Sequence, residues 1–131
     1  MIKKRAAAAV RPARLSAAQL QVRIRLNVGE DIALGPGKIK LLRLIDETGS
    51  ISAAARSAGM SYRRAWLLVE TMNACFVEPL VTTETGGTRG GGAMVTALGK
   101  KIATLYEAIC QDADIATASG ARRLARHLKA T

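Results

Sequence analysis

Residues 50–66 read SISAAARSAGMSYRRAW, and the fold turns on this stretch. Ser52 is placed to cap a short helix ending at Ala58, since its hydroxyl can accept a bond from an unpaired first-turn amide. Gly59 interrupts that helix and can take the positive φ that a tight interhelical turn favours. Ser61 then caps a second helix from Tyr62 to about Cys75, with Met60 and Ala65 spaced for a hydrophobic staple. That second helix turns Ala65, Leu68, Val69 and Met72 to one face. Ala54 and Ala55 give the first helix a small surface where the second crosses it. Two short helices, three residues apart with a glycine in the turn, follow helix-turn-helix grammar. A plain alanine-rich helical hairpin is the competing reading.

Downstream, residues 80–84 and 93–95 read as short strands around a glycine-rich loop, the hairpin called a wing. Thr96 is placed to cap a final helix that carries Leu98, Ile102, Leu105, Tyr106 and Ile109 at steps of three and four. Alanine and serine dominate residues 113–119, and Gly120 is expected to set off a last basic helical turn or two. Upstream, Val22, Ile24, Leu26 and Val28 alternate with Arg23, Arg25 and Asn27, which predicts a half-buried strand. Gly29 and Gly35-Pro36-Gly37 then read as a turn and a loop. Ile39, Leu41, Leu42, Leu44 and Ile45 form the apolar face of a helix closed by Thr48 and Gly49. The expected fold is mainly α with a small β component (α+β): a winged helix-turn-helix with an N-terminal strand and a long C-terminal helix. Residues 1–18 are expected to form a basic flexible arm, 19–118 the DNA-binding domain with its dimerisation helix, and 119–131 a basic tail.

Composition narrows the function. The 131 residues carry a formal charge of +10, two cysteines, one histidine and 3% aromatic residues. No apolar stretch approaches the roughly 18 to 20 residues of a membrane-spanning helix. So few rings are too sparse for the stacking platforms of single-strand RNA modules. The charge is concentrated at the ends: Lys3, Lys4, Arg5, Arg11 and Arg14 at one, Arg122, Arg123, Arg126 and Lys129 at the other, with the middle close to neutral. Such ends attract phosphates, and they also resemble ordinary solvated termini. The acid-free start has the composition of an organelle transit peptide, but a disordered arm ending near Pro12 is the favoured reading. His127 stands alone, Asp46 and Glu47 diverge on a helix, and Cys75 and Cys110 read as small packing residues. No catalytic residue, metal site or cofactor is expected.

If the second helix enters a major groove, its N-terminal end meets base edges. Arg63 can bridge guanine O6 and N7, Ser61 can bond a phosphate or base edge, and Leu67 can touch a thymine methyl. Tyr62 and Trp66 lie one turn apart on the outer face, where a lone Trp is equally at home as a partly buried packing residue. Arg64 is placed toward the phosphates, and Arg56 on the preceding helix toward the backbone; either can equally be a solvated charge. In the wing, Arg89 is placed to lie along the sugar-phosphate backbone or in a minor groove, the alternative being a mobile hairpin tip. Gly87 to Gly90 spells G-x-x-G, but strand signals flank it where an RNA-binding KH loop would join two helices. Leu98, Ile102, Leu105 and Ile109 make the expected dimer seam, which would set two recognition helices about 34 Å apart.

The run LLRLIDETGSISAAARSAGMSYRRAW, Met72-Asn73, the glycine wing over residues 85–92 and the T-x-x-G-x-x-I-x-x-L-Y pattern from Thr96 to Tyr106 resemble the N-terminal DNA-binding domain of the ModE family of molybdate-dependent regulators. The resemblance spans about half the chain, and it is similar more distantly to the LysR-type helix-turn-helix. It implies a winged helix, operator binding to double-stranded DNA as a homodimer, and control of molybdate-uptake or molybdenum-enzyme genes in the bacterial cytoplasm. Ser61, Tyr62, Arg63 and Trp66 fall on the family's recognition-helix pattern. Arg64 and Leu67 stand where small or acidic residues are common in the family, and Arg89 one position after its usual lysine, so a different operator is expected. The family's C-terminal molybdate-binding domains are expected to be absent, and molybdate binding is not carried over. The competing reading is a winged-helix interaction module that docks on a separate molybdate-binding protein. A sequence-blind architectural DNA protein is a third.

Overall fold

A computed structural model describes residues 18–84 and 92–129. They form an α+β structure with the order β1 (Leu26–Val28), β2 (Asp31–Leu34), α1 (Pro36–Thr48), α2 (Ile51–Ala58), α3 (Tyr62–Cys75), β3 (Val81–Glu84), β4 (Gly92–Val95) and α4 (Ala97–Ala125). The strands make two antiparallel hairpins, β1 with β2 and β3 with β4. In the second, Val81 faces Val95 and Glu84 faces Gly92. The described residues divide into two units: Arg23–Ala108, which holds all four strands and α1 to α3, and a second made of residues 18–22 with 109–129.

The core of the first unit grows from α1. Leu41, Leu42 and Ile45 are fully buried, and against them lie Ile51, Ala54 and Ala55 of α2 and Ala65, Val69 and Met72 of α3. Leu68, expected in that buried set, is only partly covered. Ala33 and Leu34 of β2, Leu80, Val81 and Val95 of the second hairpin, and Ala103 and Tyr106 of α4 complete it. Gly99 sets how closely α4 approaches the hairpin. A methyl there would collide with the Leu80 carbonyl oxygen and lie 2.7 Å from Val95 Cγ1.

Several local expectations change. Ser50, not Ser52, caps α2: its hydroxyl accepts from the Ala53 amide at 3.1 Å, and Ser52 lies inside the helix. The helix starts two residues earlier because Ile51 is buried and has to join the core side. The N-terminal strand shrinks to Leu26–Val28 and pairs with β2, a strand the sequence reading missed. Leu26 and Val28 are exposed rather than half-buried, and a register shift after Leu26 breaks the alternation that pointed them inward. Gly29 does turn the chain, at φ 60°. Gly35-Pro36-Gly37 is not a loop: extended Gly35 precedes α1 and Pro36 opens it, where a missing N–H is harmless. Helix α4 runs through Gly120 without a break.

In the second unit, residues 18–20 and the last turns of α4 line a largely apolar recess of about 550 Å³.

Candidate nucleic-acid interface

The turn ahead of α3 is closed by backbone and side chain together. Gly59 takes the left-handed conformation at φ 70°. Its amide bonds to the Arg56 carbonyl at 3.1 Å, and the Met60 amide reaches the Ala55 carbonyl at 3.0 Å. Ser61 then accepts from the Arg64 amide at 3.1 Å, pairing one of the donors that a helix start leaves open. With that bond made, the Ser61 hydroxyl still has its own proton to donate outward.

The surface of α3 follows from this cap. Ser61, Tyr62, Arg63, Arg64 and Leu67 are exposed, while Ala65 between them is buried. Tyr62 is 54% exposed and Leu67 53%. Trp66 is half-buried, and its ring meets that of Tyr62 edge-on, with centroids 6.2 Å apart and planes at 81°. Edge-on contact is a favoured arrangement of two aromatic rings. Arg56 is exposed in the last turn of α2. Arg89 lies outside the described residues.

Asn73, which sequence spacing alone did not single out as a site residue, ties the second hairpin to α3. Its side-chain oxygen accepts from the Leu80 and Val81 amides at 2.8 and 3.2 Å, and its nitrogen donates to the Val81 carbonyl at 3.0 Å. These three bonds hold the start of β3. On the other strand, the Ala93 amide bonds to the Gly49 carbonyl at 2.9 Å. The Thr96 hydroxyl donates to the Pro79 carbonyl at 2.8 Å and accepts from the Gly99 amide at 3.0 Å, capping α4 as its sequence predicts.

Arg64 acts electrostatically on a cation of α1. Lys38, in the first turn of α1, is partly buried. Burial holds its ammonium below the usual lysine range. Arg64 and Arg25 push it down further, while Cys75 and Asp31 pull upward. Neither Arg25 nor Lys38 was expected as a site residue. The available signal was Lys38 itself, since a cation in a first helical turn opposes the helix dipole.

On α4, Leu98 and Ile102 are partly buried and Leu105 is 51% exposed; Ile109, in the second unit, is 53% exposed. Both cysteines are free and partly covered. Among the described residues no group of three His, Cys, Asp or Glu side chains is arranged to hold a metal ion, and no helix is long and apolar enough to cross a membrane.

Together these elements define a small α+β unit in which a capped helix turns a basic, ring-bearing end to solvent beside an antiparallel hairpin. Sequence comparison finds ModE and Mop proteins as its curated relatives. The chain is 37% identical over 95 residues to the molybdenum transport protein ModE of Azotobacter vinelandii, covering 72% of this chain and 35% of that protein. It is 37% identical over 93 residues to the DNA-binding transcriptional dual regulator ModE of Escherichia coli K12, covering 71% and 36%. To the molybdenum-pterin-binding protein MopB of Rhodobacter capsulatus it is 47% identical over 76 residues, covering 58% and 28%. The chain thus spans about a third of the length of these curated relatives. None of the three is named as an enzyme. No protein-family model matches the chain.

Proposed function

We propose that the chain is a ModE-type, sequence-specific regulator that binds double-stranded DNA as a homodimer in the bacterial cytoplasm, and not an enzyme. In this reading residues 19–118 act as a winged helix-turn-helix domain, with α3 in the major groove and the β3–β4 hairpin as the wing. The observation that carries it is the exposed set Ser61, Tyr62, Arg63, Arg64 and Leu67 around buried Ala65: the N-terminal end of α3 is polar, cationic and uncovered. That is the end which meets base edges when a recognition helix docks. The ModE name of E. coli, a DNA-binding regulator, supports the same partner. Leu98, Ile102, Leu105 and Ile109 recur along α4 at the spacing of a two-helix seam, which is the support for a dimer.

The test is selection of bound duplexes from a random pool, with and without molybdate. A two-fold symmetric site recovered in both conditions supports a constitutive regulator; one recovered only with molybdate makes the oxyanion an effector. A chain that retains no duplex overturns the reading and favours docking on a molybdate-binding protein. Salt separates the same alternatives. Binding to several phosphates weakens with a log–log slope near −0.9 per contact, whereas a protein contact of mixed polarity responds weakly.

A further inference from the structure

The backbone of Leu80 links the end of α3 to the start of α4. Leu80 is fully buried just ahead of β3, and Pro79 before it has no amide hydrogen to donate. Asn73, in the last turn of α3, meets this segment as a neighbouring strand would, because a side-chain amide offers an acceptor and a donor together. Its oxygen takes the Leu80 and Val81 amides at 2.8 and 3.2 Å, and its nitrogen reaches the Val81 carbonyl at 3.0 Å. The Leu80 carbonyl in turn accepts from the Thr96 amide at 2.9 Å. The Thr96 hydroxyl carries the link onward, donating to the Pro79 carbonyl at 2.8 Å and accepting from the Gly99 amide at 3.0 Å in the first turn of α4. Gly99 has no side chain where the Leu80 carbonyl comes closest. α3, Leu80 and the start of α4 are thus joined by hydrogen bonds in series, all inside the unit Arg23–Ala108.

The part of α4 within that unit carries Leu98, Ile102 and Leu105, the beginning of the proposed dimer seam. α3 carries the proposed base readers. In a two-fold dimer, the distance and rotation between the two α3 helices depend on how each is held to its own α4. The duplex sets a strict requirement: one added base pair moves a half-site by about 3.4 Å and turns it by about 35°. A wrongly spaced pair of half-sites is engaged by both subunits only if something in this path yields. The Asn73 and Gly99 bonds are partly shielded from water, so breaking them leaves amides poorly satisfied.

We propose that Asn73 and Thr96, which hold Leu80 by its amide and its carbonyl, are positioning residues that set the half-site spacing the dimer accepts. This rests on the DNA-binding dimer reading and deepens it. Arg63 and its neighbours read bases, while Asn73 and Thr96 touch no DNA and fix how far apart the two readings are made.

The experiment measures the affinity of the full chain, Asn73→Ala, Thr96→Val and Thr96→Ser for the selected duplex and for duplexes with one base pair added to or removed from the spacer. The parent should discriminate against both altered spacers. Asn73→Ala and Thr96→Val should each reduce that discrimination roughly threefold to tenfold, the equivalent of one net hydrogen bond. The bases preferred within each half-site should stay those of the parent. Thr96→Ser keeps the hydroxyl and should keep the parent discrimination, a rescue that separates positioning from general loosening of the fold. A uniform loss of folded protein leaves the discrimination ratio unmoved. Thermal melting identifies the folded variants, and Thr96→Val decides alone if Asn73→Ala does not fold. Undiminished discrimination in the folded variants overturns the proposal and leaves the DNA reading standing. So does an altered base preference within the half-site, or a loss in Thr96→Ser equal to that in Thr96→Val. A parent indifferent to spacing overturns the dimer together with the proposal, and a parent that binds no duplex overturns the DNA reading as well.

Discussion

Helices α3 and α4 both bury one side and leave the other in solvent, but the uncovered sides differ in kind. α3 hides Ala65, Val69 and Met72 and leaves out Tyr62, Arg63 and Arg64. α4 hides Gly99, Ala103 and Tyr106 and leaves out Leu105, Ile109 and Ile115. A cationic, ring-bearing surface is stable in water and complements a polyanion. An aliphatic surface contributes little until another apolar surface covers it, at about 25 cal/mol per Å². Burial pattern makes these two helices look alike; the chemistry of what stays uncovered separates a surface suited to a polyanion from one suited to an apolar partner.

The comparison breaks first where α3 is buried. Met72→Ala should lower unfolding stability by about 3 kcal/mol, read from urea denaturation, because the cavity opens in fully packed surroundings. A loss under about 1 kcal/mol would mean that the inner side of α3 is not the anchor. Leu105→Glu should leave that stability nearly unchanged but weaken self-association by roughly 2 to 3 kcal/mol, the worth of one covered leucine made charged. Sedimentation would then show monomer at concentrations where the proposed parent dimer forms; identical profiles would remove α4 from the interface. Arg63→Ala should cost about 2 kcal/mol of specific binding and relax one base preference, with melting temperature unchanged. An unaltered selected sequence would move base reading off this side of α3.

The smallest effect tests how α4 is held to α1. Arg43 grips Glu107 through two bonds, Nε to Oε2 at 3.0 Å and Nη2 to Oε1 at 2.6 Å. This pairing holds the Glu107 carboxyl below the usual carboxylate range and the Arg43 guanidinium above its own. Because the folded carboxyl titrates lower than the unfolded one, its contribution is full above about pH 4.3 and fades as pH falls through the folded value. Arg43 stays charged throughout that window. Both groups are solvent-exposed, so the pair is worth about 0.5 kcal/mol. Melting at pH 7 and pH 3 should show Glu107→Gln losing that small difference; an equal acid-side loss in both chains would exclude the pair as its source.

The parts legible in the sequence are those set by neighbours a few residues apart. Gly49 and Gly59 take positive φ at 69° and 70°, Ser61 and Thr96 cap their helices, and Ala54 and Ala55 are buried at the crossing. What stayed hidden depends on partners far along the chain. The Tyr106 hydroxyl donates to the Ile24 carbonyl at 2.7 Å, across 82 residues. Such a bond fixes the N-terminal segment without leaving a local pattern, and alternation over residues 22–28 overstated the strand. Strand β2 was masked by its own brevity and by the glycines and proline that follow it. Ser50 and Ser52 offer the same hydroxyl, and only the burial of Ile51 between them decides which one caps.

The bonds from Asn73 to the start of β3 carry a consequence for how this molecule can adapt to its target. One side chain on α3 holds the Leu80 and Val81 amides and the Val81 carbonyl, so the helix is tied to the start of β3. In the proposed DNA-binding reading, two surfaces joined this way meet a duplex as one body. On that reading a duplex of unsuitable width or twist would have to deform to fit, and the energy of bending it would be a second source of selectivity at base pairs that no side chain touches.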